Sequence, residues 1–312
     1  MNIIFFGSSQ FSIPSLRAIL DAGYKVPCVV TQPDRKKGRH LHLASTAVKE
    51  AAKASGLCIF QPESVNSKES ESFLKSLGPD LFVVVAYGQI LSQEVLDIPK
   101  IMPINAHASL LPKYRGAAPI SWAIIKGEKK SGVSIIKITK QMDSGPLFLS
   151  KEVLIKDSDT ELTLEESLSG LSAQLLVQTI KKLENNDYRL CEQDEKLVSF
   201  APKLKKKDGL IKWGLSAIEI NDLVRGCISW PGAYTYYQGK MVKIYSSLVR
   251  SLGDEAASQT AGTTLEVSKN AIAVTTGKDI LVIKELQPEG KRRMTVAEFI
   301  AGHKIKCGEK LG

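Results

Sequence analysis

An amide and an imidazole lie two residues apart in this sequence, at Asn105 and His107. They end an apolar run that begins at Ile104, and a loop rich in Pro and Gly follows. If the run is a strand, its period of two places both side chains on one face. The carboxyl end of such a strand is where open α/β sheets bind ligands. A lone histidine there is most often structural, but the neighbouring amide and the long loop favour a functional site.

A carboxylate, Asp143, lies in a turn between two apolar runs. Together with Asn105 and His107 it suits the attack of an amine on a carbonyl carbon. The amide can donate to the developing oxyanion, and a cationic imidazole can stabilise the same charge. The carboxylate would orient the ring, keep it charged and help to remove the amine proton. We therefore expect Asp143 to lie beside His107, with no Ser or Cys nucleophile needed.

Two stretches around these residues resemble the formyltransferases that use 10-formyltetrahydrofolate. They are Asn-Ala-His-Ala-Ser-Leu-Leu-Pro-Lys-Tyr-Arg-Gly at 105–116 and Met-Asp-Ser-Gly-Pro at 142–146. The resemblance implies that Asn105, His107 and Asp143 form a catalytic trio, that 10-formyltetrahydrofolate is the cosubstrate and that no metal takes part. The implied folate-binding residues are Ser109, Leu110, Leu111 and Pro112, with Tyr87, Gly88, Gln89 and Ile90 as further candidates.

The elements that must position these residues form an α/β unit. A strand-like run at 2–6 is followed by a turn and a helix, and 81–87 is a continuous apolar run of the kind found in buried parallel strands. No Gly-x-Gly-x-x-Gly follows the first strand, so we expect no dinucleotide site. A helical stripe of leucines at 162–183 ends the unit. We predict a Rossmann-like formyltransferase domain with a mostly parallel sheet over residues 1–185.

The remainder of the chain has a different character. Residues 186–208 are polar and are typical of a linker, whereas 209–312 contains short strand-like runs separated by Gly- and Asn-containing turns. Such a pattern favours a small β-barrel, and the resemblance implies an OB-like barrel that binds tRNA. The chain carries a net charge of +9, and from residue 201 onward 18 Lys and Arg face 11 Asp and Glu, a surplus of +7. This surplus favours a polyanionic partner.

A basic segment at 32–42 gathers four cationic residues around a glycine. Such a run is in general a solvated loop. Here it resembles the loop of methionyl-tRNA formyltransferases that enters the acceptor arm of the tRNA, although His40-Leu41-His42 stands where that family usually has Gly-Lys-Lys. The implied tRNA-binding residues are Arg35, Lys36, Lys37 and Arg39, together with Lys205, Lys206 and Lys207 at the end of the linker.

Five scattered cysteines, with no Cys-x-x-Cys pair, argue against a zinc site and a disulfide scaffold. The sequence has no leader-like start and no run of about 18 apolar residues that could span a bilayer. We therefore expect a cytoplasmic protein, and we expect it to be a monomer.

The resemblance covers essentially the whole chain. It implies an enzyme that transfers a formyl group from 10-formyltetrahydrofolate to methionyl initiator tRNA, supplying formylmethionyl-tRNA for translation initiation. Three alternatives remain open at this point. Glycinamide ribonucleotide formyltransferases share the trio but are single domains about two-thirds as long, and sugar-nucleotide or folate-hydrolysing relatives use a similar two-domain unit. The third alternative is an RNA-binding module on a decayed α/β scaffold, against which an intact Asn, His and Asp argue.

Overall fold

A computed structural model describes residues 1–37, 42–251 and 260–312. The chain divides into two compact units. The first unit contains residues 1–119, 130–154 and 165–201. The second contains residues 120–129, 155–164 and 202–312.

The strands of the first unit form one large sheet and one small ribbon. They are β1 (Asn2–Gly7), β2 (Lys25–Val30), β3 (Arg35–Lys37), β4 (His42–Ala44), β5 (Ile59–Phe60), β6 (Leu81–Val85), β7 (Met102–His107), β8 (Lys130–Lys137) and β9 (Leu147–Leu154). The large sheet has seven strands in the order β5-β2-β1-β6-β7-β8-β9. The five strands from β5 to β7 are parallel, and β8 and β9 are antiparallel to their neighbours.

The helices of the chain up to residue 184 are α1 (Ile13–Asp21), α2 (Ala47–Ala54), α3 (Lys68–Ser76), α4 (Gln93–Leu96), α5 (Pro119–Ile125) and α6 (Glu161–Glu184). Hydroxyl side chains fix where several of them begin. Thr46 and Ser67 accept hydrogen bonds from backbone N–H groups in the first turns of α2 and α3. Ser12, at the start of α1, instead donates to the carbonyl oxygen of Val85 over 2.6 Å, which ties the helix to the end of β6.

The core of the first unit supports the carboxyl ends of its central strands. Phe6 on β1 packs against Phe82 on β6, with ring centroids 4.9 Å apart, and against Tyr87, 5.5 Å away. All three side chains are buried, together with Leu81, Val83 and Val85 of β6. Because each fully buried side chain of this size stabilises the fold by about 1.5–3 kcal/mol, the strands that carry the polar residues have a rigid base.

The second unit is built on an antiparallel sheet. Its strands are β10 (Ala233–Tyr237), β11 (Lys240–Arg250), β12 (Thr264–Ser268), β13 (Ala271–Thr275), β14 (Ile280–Pro288) and β15 (Met294–Thr295). They follow the order β10-β11-β14-β13-β12, with β15 paired to β14. Its helices after residue 202 are α7 (Ala217–Gly226) and α8 (Val296–Gly302). The fold class predicted from the sequence, a mostly parallel sheet followed by a separate β-rich unit, is confirmed.

Two segments differ from their sequence interpretation. The sequence predicts a loop for the basic segment, but β3 pairs antiparallel with β4, so its flanks form a two-stranded ribbon. Arg39, His40 and Leu41 lie outside the described residues. The segment interpreted as a linker is held by pairing: Cys191 and Leu147 exchange backbone hydrogen bonds of 3.0 and 2.8 Å, and the Ala201 N–H donates to the Arg115 carbonyl over 2.7 Å.

Candidate active site

Strand β7 places Asn105 and His107 at the carboxyl end of the parallel part of the sheet. Asn105 is paired in register with Val84 on β6, and His107 lies opposite Ser134 on β8. Asn105 is half-buried, and His107 is only 6% exposed. The alternation along β7 therefore holds an amide and an imidazole side by side, at the edge where α/β sheets bind ligands.

The His107 ring is held from both of its nitrogens. Nε2 lies 3.0 Å from the carbonyl oxygen of Tyr114, and because a carbonyl only accepts, Nε2 carries the proton of that bond. Nδ1 lies 3.6 Å from Oδ2 of Asp143. The imidazole ring is therefore fixed between the Tyr114 carbonyl on one side and the Asp143 carboxylate on the other.

The Asp143 carboxylate is fixed by a backbone donor. Its Oδ2 accepts a hydrogen bond of 2.9 Å from the N–H of Gly116, and the side chain is 14% exposed. The residue itself has a φ of +52°, in the left-handed region, which costs an L-residue about 1–2 kcal/mol. Both features point the carboxylate towards His107, which is the proximity expected from the sequence.

The loop after β7 is packed against the neighbouring strand. The Ser109 hydroxyl donates to the Lys113 carbonyl over 2.7 Å, and the Ser134 hydroxyl donates to the Ser109 carbonyl over 2.8 Å. The Ser134 oxygen in turn accepts from the Leu111 N–H, 3.1 Å away. A Cβ at Gly132 would lie 2.5 Å from the Leu110 side chain, so only glycine lets the loop approach β8 this closely.

The residues implied to bind folate lie after β6 and β7. Ser109 and Leu111 are buried, whereas Leu110 and Pro112 are half-buried. The segment after β6 is anchored by Gln89, whose Oε1 accepts from the Val65 N–H over 2.9 Å.

Tyr87 and Ile90 occupy opposite environments at this edge. The ring of Tyr87 belongs to the core, and burial raises the pKa of its phenol. Gly88 is exposed with a φ of +93°, and Ile90 is 69% exposed. Of the four residues from 87 to 90, those that present surface to a ligand are therefore Gly88 and Ile90, with Gln89 half-buried between them.

Two residues of the site were not among those predicted from the sequence. Arg115, 2% exposed, donates to the side chains of Gln193 and Glu195. Gln193, 8% exposed, donates to the carbonyl oxygens of Asp143 and Gly145. Arg115 lies within the motif at 105–116, but Gln193 stands in a polar stretch with no distinguishing pattern, 50 residues from Asp143.

The basic candidates fall in both units. In the first, Arg35 is exposed and its Nη2 donates to Oε1 of Gln32 over 3.4 Å, whereas Lys36 and Lys37 are described only through the backbone of β3. In the second unit, Lys205, Lys206 and Lys207 are exposed around a short 3-10 helix, Lys206–Gly209. Arg39 lies outside the described residues.

Within residues 1–37, 42–251 and 260–312, no group of three or more His, Cys, Asp and Glu side chains could hold a metal ion. In the same part of the chain, no helix combines the length and the apolar character needed to cross a membrane.

Comparison with known proteins identifies the family. The family described as Formyl transferase matches residues 1–180, and its C-terminal domain matches residues 203–304. A methionyl-tRNA formyltransferase of Acetivibrio thermocellus is 44% identical over 312 residues, covering 100% of both chains.

Two solved structures share the fold. An N-formyltransferase of Helicobacter canadensis in complex with folinic acid and dTDP-3-aminofucose is 18% identical, covers 94% of this chain and 99% of its own, and has a TM-score of 0.68. HypX of Aquifex aeolicus in complex with tetrahydrofolic acid is 15% identical with a TM-score of 0.64, and the match covers 96% of this chain but 46% of HypX. By its sequence matches over both domains and over its whole length, the chain belongs to the formyl transferase family.

Proposed function

We propose that this protein transfers the formyl group of 10-formyltetrahydrofolate to the amino group of methionyl initiator tRNA, and so supplies formylmethionyl-tRNA for translation initiation. The observation that carries the proposal is the His107–Asp143 pair beside Asn105, at the carboxyl end of β7. The relative from A. thermocellus, which is named methionyl-tRNA formyltransferase and matches both chains in full, supports the choice of acceptor.

The proposed reaction is a single acyl transfer. The lone pair of the methionyl amine attacks the formyl carbon, and a C–N bond forms as the carbonyl oxygen becomes an oxyanion. The Asn105 amide donates a hydrogen bond to that oxyanion. His107 would add a second one once a ring N–H turns from the Tyr114 carbonyl or from Asp143 to the substrate. Collapse of the tetrahedral intermediate breaks the bond from the formyl carbon to N10 of the folate. The proton lost by the amine leaves on N10, so the products are the formylated aminoacyl-tRNA and tetrahydrofolate.

Asp143 serves two purposes in this scheme. Its carboxylate lies 3.6 Å from Nδ1 of His107 and orients the imidazole ring. The same carboxylate assists removal of the amine proton as general base. The scheme uses no metal, since Asn105 and His107 are assigned to the stabilisation of the developing charge.

The folate would lie along the carboxyl edge of β6 and β7. In this proposal one wall is formed by Ser109, Leu110, Leu111 and Pro112. The other is formed by Gly88 and Ile90, with Gln89 between them and the buried Tyr87 ring supporting them from the core. Because the polar side chains of Ser109 and Gln89 are bonded within the protein, we infer that the pterin is bound mainly by backbone groups and apolar contacts.

The tRNA would be held by the basic surface that begins at the end of the linker. Two indoles anchor the backbone there: Trp122 donates to the Pro202 carbonyl over 2.7 Å and Trp230 to the Leu204 carbonyl over 3.4 Å. The exposed lysines 205–207 follow at once, and Trp230 itself is 56% exposed. Exposed cations beside an exposed aromatic ring suit phosphate contacts and stacking on unpaired bases.

We assign a separate role to each of three parts of the chain. Residues 1–185 carry the chemistry, 186–208 connect the domains and 209–312 hold the tRNA without reading its bases. Selectivity for the initiator is assigned to the basic segment, with Arg35, Lys36 and Lys37 near the acceptor arm and Arg39 testing whether its first and last positions are paired. We further propose that the protein acts as a monomer in the cytoplasm, which light scattering on the purified protein and fractionation of cells would test.

The test of the function is a formyl-transfer assay with 10-formyltetrahydrofolate and a panel of acceptors. The panel contains methionyl initiator tRNA, methionyl elongator tRNA, glycinamide ribonucleotide and a dTDP-amino sugar. We expect rapid formylation of the initiator, slower formylation of the elongator and none of the small acceptors. Formylation of a small acceptor in preference to both tRNAs would contradict the proposal, as would binding of tRNA with no formyl transfer.

A further inference from the structure

We propose that Gln193, held in place by Arg115, is a positioning residue for Asp143. The inference rests on the proposed function, because it takes Asp143 as a participant in the reaction. Gln193 comes from the segment interpreted as a linker, and the hydrogen bonds given for its side chain in the described part of the chain join it to Arg115, Asp143 and Gly145. Its effect would pass through the backbone of the turn that presents the carboxylate.

The amide of Gln193 clamps that turn at two points. Its Nε2 donates one hydrogen bond of 2.8 Å to the Asp143 carbonyl and another of 2.7 Å to the Gly145 carbonyl. A primary amide has two N–H donors, so both are used on the turn. Since Gln193 is 8% exposed, water cannot easily replace it as the donor.

The backbone conformation of this turn explains why the two hydrogen bonds matter. Asp143 adopts a left-handed φ of +52°, which an L-residue occupies only when its surroundings stabilise it. The chain then passes so close to β8 that a Cβ at Gly145 would lie 1.8 Å from the Lys137 carbonyl oxygen. Loss of the two hydrogen bonds would allow the Asp143 backbone to relax and the carboxylate to move.

Arg115 fixes the orientation of the clamp. Its Nε and Nη2 donate to Oε1 of Gln193 over 3.1 and 2.8 Å. A guanidinium only donates and a carbonyl only accepts, so the amide oxygen must face Arg115 and the amide nitrogen must face the turn. Glu195 accepts from the other side of the guanidinium, at 2.8 and 3.3 Å, and neutralises a cation that is only 2% exposed.

The segment that contains Arg115 also touches both members of the reacting pair. The Tyr114 carbonyl accepts from Nε2 of His107, and the Gly116 N–H donates to Oδ2 of Asp143. The buried side chain of Arg115 therefore anchors the residues that space His107 from Asp143. Because a misplacement of about 1 Å in an active site can cost about 100-fold in rate, loss of this anchor should lower turnover.

The experiment compares Gln193→Glu and Gln193→Met in formylation of methionyl-tRNA. Glutamate keeps the shape and the partner for Arg115 but sets an acceptor against the two carbonyls of the turn, and methionine keeps the volume without hydrogen bonds. For both we expect kcat to fall by about 10- to 100-fold, with KM for each substrate within about 3-fold of wild type. In an Asp143→Ala background the same changes should lower the residual rate by less than about 2-fold, because residues that act as one unit are not additive.

Ser169→Ala provides the structural control. It removes a buried hydrogen bond of 2.7 Å to the Phe11 carbonyl in the same unit, and it leaves the turn intact, so it should lower the melting temperature but not kcat. Wild-type kcat in either Gln193 variant would overturn the proposal. An equal loss of rate in the wild-type and Asp143→Ala backgrounds would overturn it as well. If the wild-type protein itself does not formylate methionyl-tRNA, the proposed function fails instead, which is a distinguishable result.

Discussion

Arg115 in the first unit and the lysines at 205–207 in the second use positive charge in opposite ways, and the exposed Arg35 of the first unit belongs with the lysines. In the first, Arg115 is 2% exposed and its guanidinium is occupied by Gln193 and Glu195. In the second, Lys205, Lys206 and Lys207 are exposed to solvent. A buried and fully bonded cation holds its neighbours in one geometry, whereas exposed cations attract a polyanion without fixing its position. The difference separates a cation that shapes the candidate active site from cations that are open to a polyanion.

Salt should distinguish these two uses of charge. Exposed charges are screened over about 8–10 Å at physiological ionic strength, whereas buried pairs are screened much less. Binding of tRNA through the lysines should therefore weaken as salt rises. The rate of formyl transfer within the bound complex should remain nearly constant, because the His107–Asp143 pair is largely shielded from solvent.

The largest effect is expected for Asp143→Asn, which keeps the shape of the side chain and removes its charge. Without the carboxylate charge, His107 loses the negatively charged partner that lies 3.6 Å from its Nδ1. We expect kcat to fall by about 100-fold or more, as for loss of a single preorganised group in other enzymes. Single-turnover formylation measures this directly, and a rate near that of wild type would remove Asp143 from the mechanism.

A smaller loss is expected for Gly116→Ala. Gly116 has a φ of +120°, and a Cβ there would lie 2.8 Å from the Ala201 carbonyl oxygen, so the backbone must move. Its N–H would then move away from Oδ2 of Asp143, and we expect kcat to fall by about 10-fold or more.

The control for this change is Gly170→Ala in α6, where an added Cβ meets no atom within 4 Å. That variant should keep its activity and gain up to about 1 kcal/mol of stability, because alanine is the better helix former. Equal kcat values for the two glycine variants would show that the Gly116 hydrogen bond does not position Asp143.

The role of the exposed cations is tested by neutralising Lys205, Lys206 and Lys207 together. We expect KM for tRNA to rise by about 10-fold at low salt, and the slope of log affinity against log salt to fall by about 1 for each phosphate that the lysines no longer neutralise. The matched control replaces the exposed, ion-paired Lys68, Lys100 and Lys130 of the first unit, with the same change of net charge. An equal effect of both triple variants would mean that net charge alone holds the tRNA.

The smallest expected effect is selective. Arg39→Ala should slow formylation of methionyl initiator tRNA several-fold and reduce its advantage over the elongator, with KM for the folate unchanged. The measurement is kcat/KM for the two tRNAs, made side by side. An equal loss for both tRNAs would mean that the basic segment attracts RNA without selecting it, and selectivity would then belong to the second unit.

The sequence predicted the elements with long, regular patterns most closely. The leucine stripe at 162–183 corresponds to α6, Glu161–Glu184, and the apolar run at 81–87 contains β6, Leu81–Val85. In 209–312 the sequence pattern indicated only strands, whereas the structure also contains α7 and α8. Each of these short helices begins with a capping box, Ser216 with Glu219 and Thr295 with Glu298, and that local pattern was the available signal.

Some contacts of the candidate site could likewise be predicted from the sequence, and others could not. The period of two along β7 was enough to place Asn105 and His107 together, because it depends only on local geometry. The contact of His107 with Asp143 needed an inference about chemistry, since the two are far apart in sequence. Gln193 could not be predicted, because its role depends on a tertiary contact and its polar surroundings are typical of a linker.

The most direct test is single-turnover formylation of methionyl initiator tRNA over a salt series, with wild type, Asp143→Asn and the Lys205/Lys206/Lys207 triple variant. We predict that Asp143→Asn lowers the maximal rate about 100-fold at every salt concentration while half-saturation by tRNA follows that of wild type. The lysine variant should keep the maximal rate and lose affinity with a flatter salt dependence. The contrary result would be a lysine variant with a lowered maximal rate at saturating tRNA, or an Asp143→Asn variant that differs from wild type only in tRNA affinity.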